Sequence, residues 1–77
     1  MENKLLTKGE YKVLMILISK RNKDNIINIS ITSLPQLLQS LGYVNSTIYL
    51  HMRNLVKKGY IEWSKSFYIK ILKEYEE

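Results

Sequence analysis

The fold is decided by residues 37–48, which read LLQSLGYVNSTI. The leucine-rich first half is typical of an amphipathic helix, and it stops at Gly42, the residue type that most often closes a helix in the left-handed conformation. Three residues later, Asn45 has the side chain of a helix N-cap. The stretch therefore predicts two helices joined by the three-residue turn 42–44.

The helix before this turn is predicted over residues 34–41. Its start is marked by a capping box, in which Ser33 and Gln36 can satisfy each other's backbone amides. Pro35 is tolerated here because the first-turn amides of a helix need no helical partner. This helix is short, and it is the middle one of three.

The helix after the turn is predicted to run from its cap at Asn45 to residue 58, where Gly59 closes it. Residues spaced three and four apart place its apolar side chains on one stripe. That inner stripe contains Ile48, His51, Met52 and Leu55. His51 is interpreted as a partly buried, hydrogen-bonded structural residue, since no second His and no Cys accompanies it.

The first helix is predicted over residues 8–21, because Thr7 and Glu10 form another capping box. A helical wheel indicates that its inner face consists of Tyr11, Leu14, Met15, Leu17 and Ile18. Ile16, with Val13 at the boundary, falls on the polar side, where a single core does not explain it. We therefore expect a homodimer surface formed by Ile16 and Val13, joined by Leu5 and Leu6.

The remaining segments alternate with period two, as strands do. A short strand is predicted over residues 27–31, and a β-hairpin follows Gly59 with its tip at residues 64–66. The inward side chains of the hairpin are expected to be Ile61, Trp63, Phe67, Ile69 and Ile71. Tyr11 and Tyr60 are expected in the core, Tyr43 in the turn, and Tyr49 and Tyr68 outside. The fold class is α+β and mostly helical, in one domain over residues 1–77.

The charge is strongly positive, with 12 Lys and Arg against 7 Asp and Glu and a net charge of +5. Three of the acids, Glu74, Glu76 and Glu77, stand in the tail 74–77, which leaves 12 basic and four acidic residues, or +8, elsewhere. A basic domain of this kind favours a polyanionic partner such as nucleic acid.

Several classes of protein are disfavoured by composition. The chain has no Cys and one His, so it offers no disulfide and no zinc ligand set. It shows no signal peptide, no membrane-length apolar run, no Gly-rich phosphate loop and no paired carboxylates. We expect a soluble, cytoplasmic protein that is not an enzyme and has no cofactor, no metal and no small-molecule substrate.

Three strings occur in the order and spacing of a known family: LTKGEYKVL at 6–14, LLQSLG at 37–42 followed by STI at 46–48, and LVKKGYIE at 55–62. Together they resemble the winged helix-turn-helix domain of MarR-like and penicillinase-repressor-like transcriptional regulators, over about residues 5–72. The resemblance implies that helix 3 enters the major groove of DNA while the hairpin, or wing, reaches a flanking minor groove or its phosphates.

The outward half of helix 3 has residue types that suit this role. Arg53 can pair with guanine, Asn54 with adenine, and Leu50 can contact a thymine methyl. Hydroxyls and helix amides can bind phosphates. The predicted DNA-binding residues are Asn45, Ser46, Thr47, Tyr49, Leu50, Arg53, Asn54, Lys57, Lys65, Tyr68 and Lys70. Against this, polar residues face water on any amphipathic helix, and cations are favoured at helix C-termini.

The wing differs from the family pattern, because its tip Ser64-Lys65-Ser66 has one cation, no Arg and no Gly. The sequence after the hairpin offers no match to the C-terminal dimerisation helices of those regulators, so we expect a dimer to use another surface. We expect a homodimeric, sequence-specific binder of double-stranded DNA that represses transcription. The alternatives are a winged-helix protein-interaction module, and a replication or partition factor of a virus or plasmid.

Overall fold

The computed structural model describes residues 6–29, 34–64 and 67–74. Over these ranges the chain is α+β, with three α-helices and a three-stranded antiparallel sheet, and the elements follow the predicted order. The elements are α1 (Lys8–Lys20), β1 (Ile26–Asn28), α2 (Leu34–Leu37), α3 (Asn45–Lys57), β2 (Ile61–Ser64) and β3 (Tyr68–Ile71).

α1 begins where the sequence predicts. The Thr7 amide donates to Glu10 Oε1 over 3.1 Å and the Glu10 amide donates to Thr7 Oγ1 over 3.2 Å, so both halves of the capping box are present. The helix ends one residue early, because Arg21 is in the extended conformation. The Arg21 guanidinium instead pairs with the Glu74 carboxylate at 2.9 Å.

The buried face of α1 differs from the prediction by part of a turn. Its buried residues are Glu10, Val13, Leu14 and Leu17. Tyr11 and Met15, predicted to be inside, are exposed, while Ile16 and Ile18 are half-buried against the core. The wheel used apolar side chains alone and gave Glu10 only its role in the capping box, whereas the protein buries this carboxyl group among polar partners.

α2 is shorter than predicted. One α-turn spans Leu34–Leu37, and a 3₁₀ turn over Gln39–Leu41 follows it. Leu38 lies between the two turns, is completely buried, and accepts a backbone hydrogen bond from Leu41. The tighter 3₁₀ geometry is common at helix ends. Gly42 closes the segment in the left-handed conformation as predicted, with φ 73°. The predicted cap Ser33 lies outside the described residues.

α3 starts one residue earlier than its predicted cap implies. Val44 occupies the N-cap position without a side-chain hydrogen bond, and Asn45 is the first helical residue. The predicted inner stripe is confirmed, since Ile48, Met52 and Leu55 are almost completely buried.

The C-terminus of α3 is closed by Gly59, as predicted. The Gly59 amide donates to Val56 and the Tyr60 amide donates to Leu55, which is the hydrogen-bond pattern of a Schellman motif. Gly59 has φ 82°, a conformation that costs a side-chain-bearing residue free energy. The motif turns the chain so that Tyr60 packs in the core, as expected, and β2 starts beside α3.

The sheet has the order β1-β3-β2. β3 pairs with β2 through Ile71 opposite Ile61 and Ile69 opposite Trp63, and with β1 through Ile69 opposite Ile27. The first strand was predicted over residues 27–31, whereas β1 spans Ile26–Asn28, so it begins one residue earlier and ends before Ile29. Residues 30 and 31 lie outside the described ranges.

The inward face of the sheet confirms most of the predicted alternation. Ile61, Ile69 and Ile71 are buried, and Trp63 is half-buried against the core. The prediction that the Phe67 side chain points inward is wrong, because this residue is 66% exposed. Its amide donates to the Ser64 carbonyl over 2.7 Å, which places Phe67 in the turn before β3 begins, so its side chain does not follow the pleat.

Candidate nucleic-acid interface

The outward face of α3 forms one side of an open groove with a volume of about 920 Å³. Five residues predicted for DNA binding meet there, and two further residues join them. The groove is lined by Tyr49, Leu50, Arg53, Asn54, Val56, Lys57 and Trp63. None of these described lining residues is acidic, so the groove has a positive character.

One wall of the groove is aromatic. Tyr49 of α3 stacks on Trp63 of β2, with ring centroids 5.7 Å apart and an interplanar angle of 18°. The pair ties the outward face of α3 to the edge of the sheet. Trp63 was expected only as a core residue, and its partial exposure beside Tyr49 makes it part of the groove as well.

Val56 is a lining residue that the sequence interpretation missed. It is 42% exposed and lies three residues after Arg53 on the same helix. Val56 was missed because it follows Ile48 by eight residues and lies about 80° from it on a helical wheel, just inside the inner half. Leu50, at 46% exposed, has the outward position that was predicted.

Asn54 lines the groove but is turned partly away from it. Its Nδ2 donates to Glu10 Oε2 of α1 over 2.9 Å, and the side chain is half-buried. Lys58 Nζ donates to Glu10 Oε1 over 2.6 Å. α1 thus binds the last turn of α3 through one carboxylate.

Glu10 was assigned only to the capping box by the sequence, yet it is 2% exposed and joins three groups. Burial raises the pKa of the Glu10 carboxyl. The hydrogen bonds from Lys58, the Thr7 backbone and Asn54, together with the Lys58 charge, outweigh burial, so the pKa lies below its ordinary value. The carboxylate is therefore held ionised inside the protein.

The first turn of α3 lies outside the groove lining. Asn45 and Ser46 are exposed there, and Thr47 is half-buried. Because Val44 provides no side-chain cap, the first-turn amides receive no hydrogen bond from the N-cap residue. These three predicted phosphate ligands stand at the opposite end of α3 from Lys57.

Two of the hairpin residues predicted for DNA binding, Tyr68 and Lys70, do not line the groove. Side chains alternate along β3, so Tyr68 and Lys70 lie on the sheet face opposite to Ile69 and the helices. The half-buried Tyr68 donates from its hydroxyl to Glu62 Oε2 over 3.1 Å, and Lys70 is directly opposite Glu62 in the register. Lys65 lies outside the described residues.

His51 packs between α1 and the turn before α3. Its ring lies 5.4 Å from the Tyr43 ring, and a methyl group placed on Gly9 would lie 2.5 Å from its Nε2 atom. The partial burial that we predicted is confirmed. The predicted hydrogen bond is not formed at Nδ1, because this atom is buried and has no partner among the described residues.

One of the residues predicted for a dimer surface is not at the surface of the chain. The prediction is wrong for Val13, which is completely buried. Leu6 and Ile16 are half-buried and pack against the same core. Leu5 lies outside the described residues. The apolar side chains that α1 does expose are Tyr11 and Met15.

In the described ranges, every helix is too short or too polar to span a bilayer. In the same ranges, no three His, Cys, Asp or Glu side chains come together as metal ligands would.

The chain matches no protein-family model, no curated protein and no solved structure.

Proposed function

We propose that this protein binds double-stranded DNA at specific sequences and represses transcription, with the architecture of a winged helix-turn-helix domain. In this proposal α2 and α3 form the helix-turn-helix and the β2–β3 hairpin is the wing. The observation that carries the proposal is the groove on the outward face of α3. It exposes Arg53 and Lys57 and has no acidic residue among its described lining residues.

The order of the elements supports this assignment. A short α2, a left-handed turn at Gly42 and a longer α3 precede an antiparallel hairpin. An α-helix fits the major groove of B-DNA, and α3 buries one face while leaving the other open. α3 is therefore the element that we place in the major groove.

The roles of individual residues follow from their chemistry and exposure. Arg53 reads guanine and Lys57 contacts a phosphate. Asn45, Ser46 and Thr47 lie at the amino end of α3, where backbone amides favour phosphate groups. We leave Asn54 out as a reader of adenine, because one of its two N–H groups donates to Glu10 and holds the half-buried side chain against α1. Tyr68, Lys65 and Lys70 remain proposed contacts of the wing with flanking backbone.

The proposal includes a second copy of the chain. One α3 covers only a few base pairs, and two copies on half-sites one helical turn apart would supply the missing specificity. Sedimentation of the protein with and without its duplex measures this directly. A 1:1 complex at every protein concentration would contradict the dimer.

The experiment is selection of bound duplexes from random DNA, followed by titrations of the recovered site by fluorescence anisotropy at several salt concentrations. Arg53→Ala should weaken cognate binding by about 1 to 3 kcal/mol and relax preference at one base pair. Lys57→Ala should weaken all duplexes alike and lower the salt slope by about 1.

Lys12→Ala is the matched control, because it removes one charge from the exposed side of α1, outside the groove lining. It should change binding much less than Lys57→Ala. Equal effects of the two substitutions would mean that net charge, and not the groove, attracts DNA.

A second candidate is a protein-interaction module, which the exposed apolar side chains of Leu50 and Val56 favour. Such a module would show no steep salt dependence of DNA affinity and no enriched sequence in the selection. These two results together would replace the DNA-binding proposal. A replication or partition role shares the same chemistry, and mapping the bound sites in the genome would distinguish it from repression.

A further inference from the structure

The groove combines exposed apolar side chains with cationic side chains on one face of α3. Leu50 and Val56 are nearly half exposed, and both line the groove together with Tyr49. Arg53 lies between them in the sequence and lines the same groove. A DNA base that enters this groove would therefore contact both a cation and apolar side chains.

The hydrogen bonds of Asn54 limit how the groove can recognise an A·T pair. A bidentate contact to adenine needs both the oxygen and the nitrogen of a carboxamide. Asn54 has the only carboxamide among the described lining residues, and its nitrogen donates to the buried Glu10 carboxylate. One of its two N–H groups is therefore bound to α1, which turns the carboxamide partly away from the groove, so an A·T pair is better recognised in another way.

Thymine offers that way, because it is the only one of the four bases that presents a methyl group in the major groove. An exposed Leu is complementary to a methyl group and to no hydrogen-bonding edge. Leu50 precedes Arg53 by three residues, roughly 4.5 Å along the helix axis. This rise is close to the spacing of about 3.4 Å between bases along one DNA strand.

We propose that the groove reads a thymine methyl with Leu50 within one or two base pairs of the guanine read by Arg53. This inference rests on the proposed DNA binding and names the kind of sequence that is bound. Tyr49 and Val56 add apolar surface elsewhere along the same groove, and Lys57 holds the phosphate backbone against it.

The test uses the duplex recovered by selection from random DNA, with each thymine replaced in turn by deoxyuridine. This change removes one methyl group and keeps every hydrogen-bonding atom of the base. For the unmodified protein, replacement at one or two thymines should weaken binding about threefold to fivefold, the effect of one lost methyl contact. The other thymines should tolerate it.

The protein variants assign the effect to a residue. Leu50→Ala should bind the thymine and uracil duplexes equally. Leu72→Ala is the matched control, since Leu72 is similarly exposed but does not line the groove, and it should keep the full discrimination. Circular dichroism of each variant verifies that the fold is retained.

The outcomes separate the two proposals. If the unmodified protein binds duplex DNA but no uracil replacement weakens it, methyl reading is overturned while DNA binding stands. An undiminished effect in Leu50→Ala overturns the assignment to Leu50. If no duplex is bound above the level of random DNA, the proposed function fails, and this inference fails with it.

Discussion

The buried Glu10 carboxylate gives the sharpest test of how the helices are held together. Glu10→Gln keeps the size of the side chain and removes its charge. The change leaves the Lys58 ammonium, at 25% exposure, beside a neutral amide. Breaking a fully buried ion pair costs about 3 to 5 kcal/mol, and Lys58 can recover part of its hydration. We therefore expect a loss of about 2 kcal/mol in the free energy of unfolding at pH 7.

Urea denaturation followed by circular dichroism measures this loss. With a slope near 1 to 2 kcal/mol per molar, as for small domains, the midpoint should fall by roughly 1 to 2 M. Glu62→Gln is the matched control, because Glu62 is exposed and its Tyr68 contact lies at the surface. It should change the free energy of unfolding by less than about 0.5 kcal/mol.

The stability lost in Glu10→Gln should depend on pH. Because the pKa of Glu10 is lowered in the folded protein, the unfolded chain binds more protons in acid, and the carboxylate stabilises the fold only above the ordinary pKa of 4.5. This stabilisation is lost as the pH falls through the lowered value. Glu10→Gln should therefore approach the unmodified protein in stability towards pH 3. Equal stability at pH 7, or a difference that stays constant from pH 7 to pH 3, would refute the reasoning.

Three further predictions use the same denaturation measurement. Gly9→Ala should lose about 1 to 3 kcal/mol, because its methyl group would overlap the His51 ring, and an unchanged midpoint would disprove that close approach. Gly59→Ala should lose about 1 kcal/mol through backbone strain alone, since φ is 82° and the space for a methyl group is open. A larger loss would indicate a clash. Phe67→Ser should stay within about 0.5 kcal/mol while Ile69→Ala loses about 2 to 5 kcal/mol, and similar losses would place Phe67 in the core.

Local signals in the sequence predicted the elements and most of their ends. Thr7 with Glu10, Gly42 and Gly59 act through hydrogen bonds and backbone conformations within a few residues, so they can be recognised without the fold. The buried stripe of α3 follows from the helical period in the same way. Local rules of this kind explain why α1, α3 and the hairpin were expected close to where they are.

The errors have non-local causes. The inner face of α1 depends on Glu10, whose partners Asn54 and Lys58 are 44 and 48 residues away in the sequence. Nothing near Glu10 indicates that its charge will be neutralised inside. Within the groove, the outward position of Arg53 was predictable, but the inward turn of Asn54 was not, because it depends on this same carboxylate.

The central position of β3 has a consequence for how the chain acquires its sheet. Every described backbone pairing of the sheet includes β3, and β1 and β2 do not pair with each other. β1 meets its partner across a separation of 44 residues, from Ile26 to Lys70, whereas β2 meets β3 across a short turn. Closing the longer loop costs more chain entropy, so we expect the hairpin to form first and β1 to dock on it last. Synthesis must therefore pass Ile71 before β1 can pair.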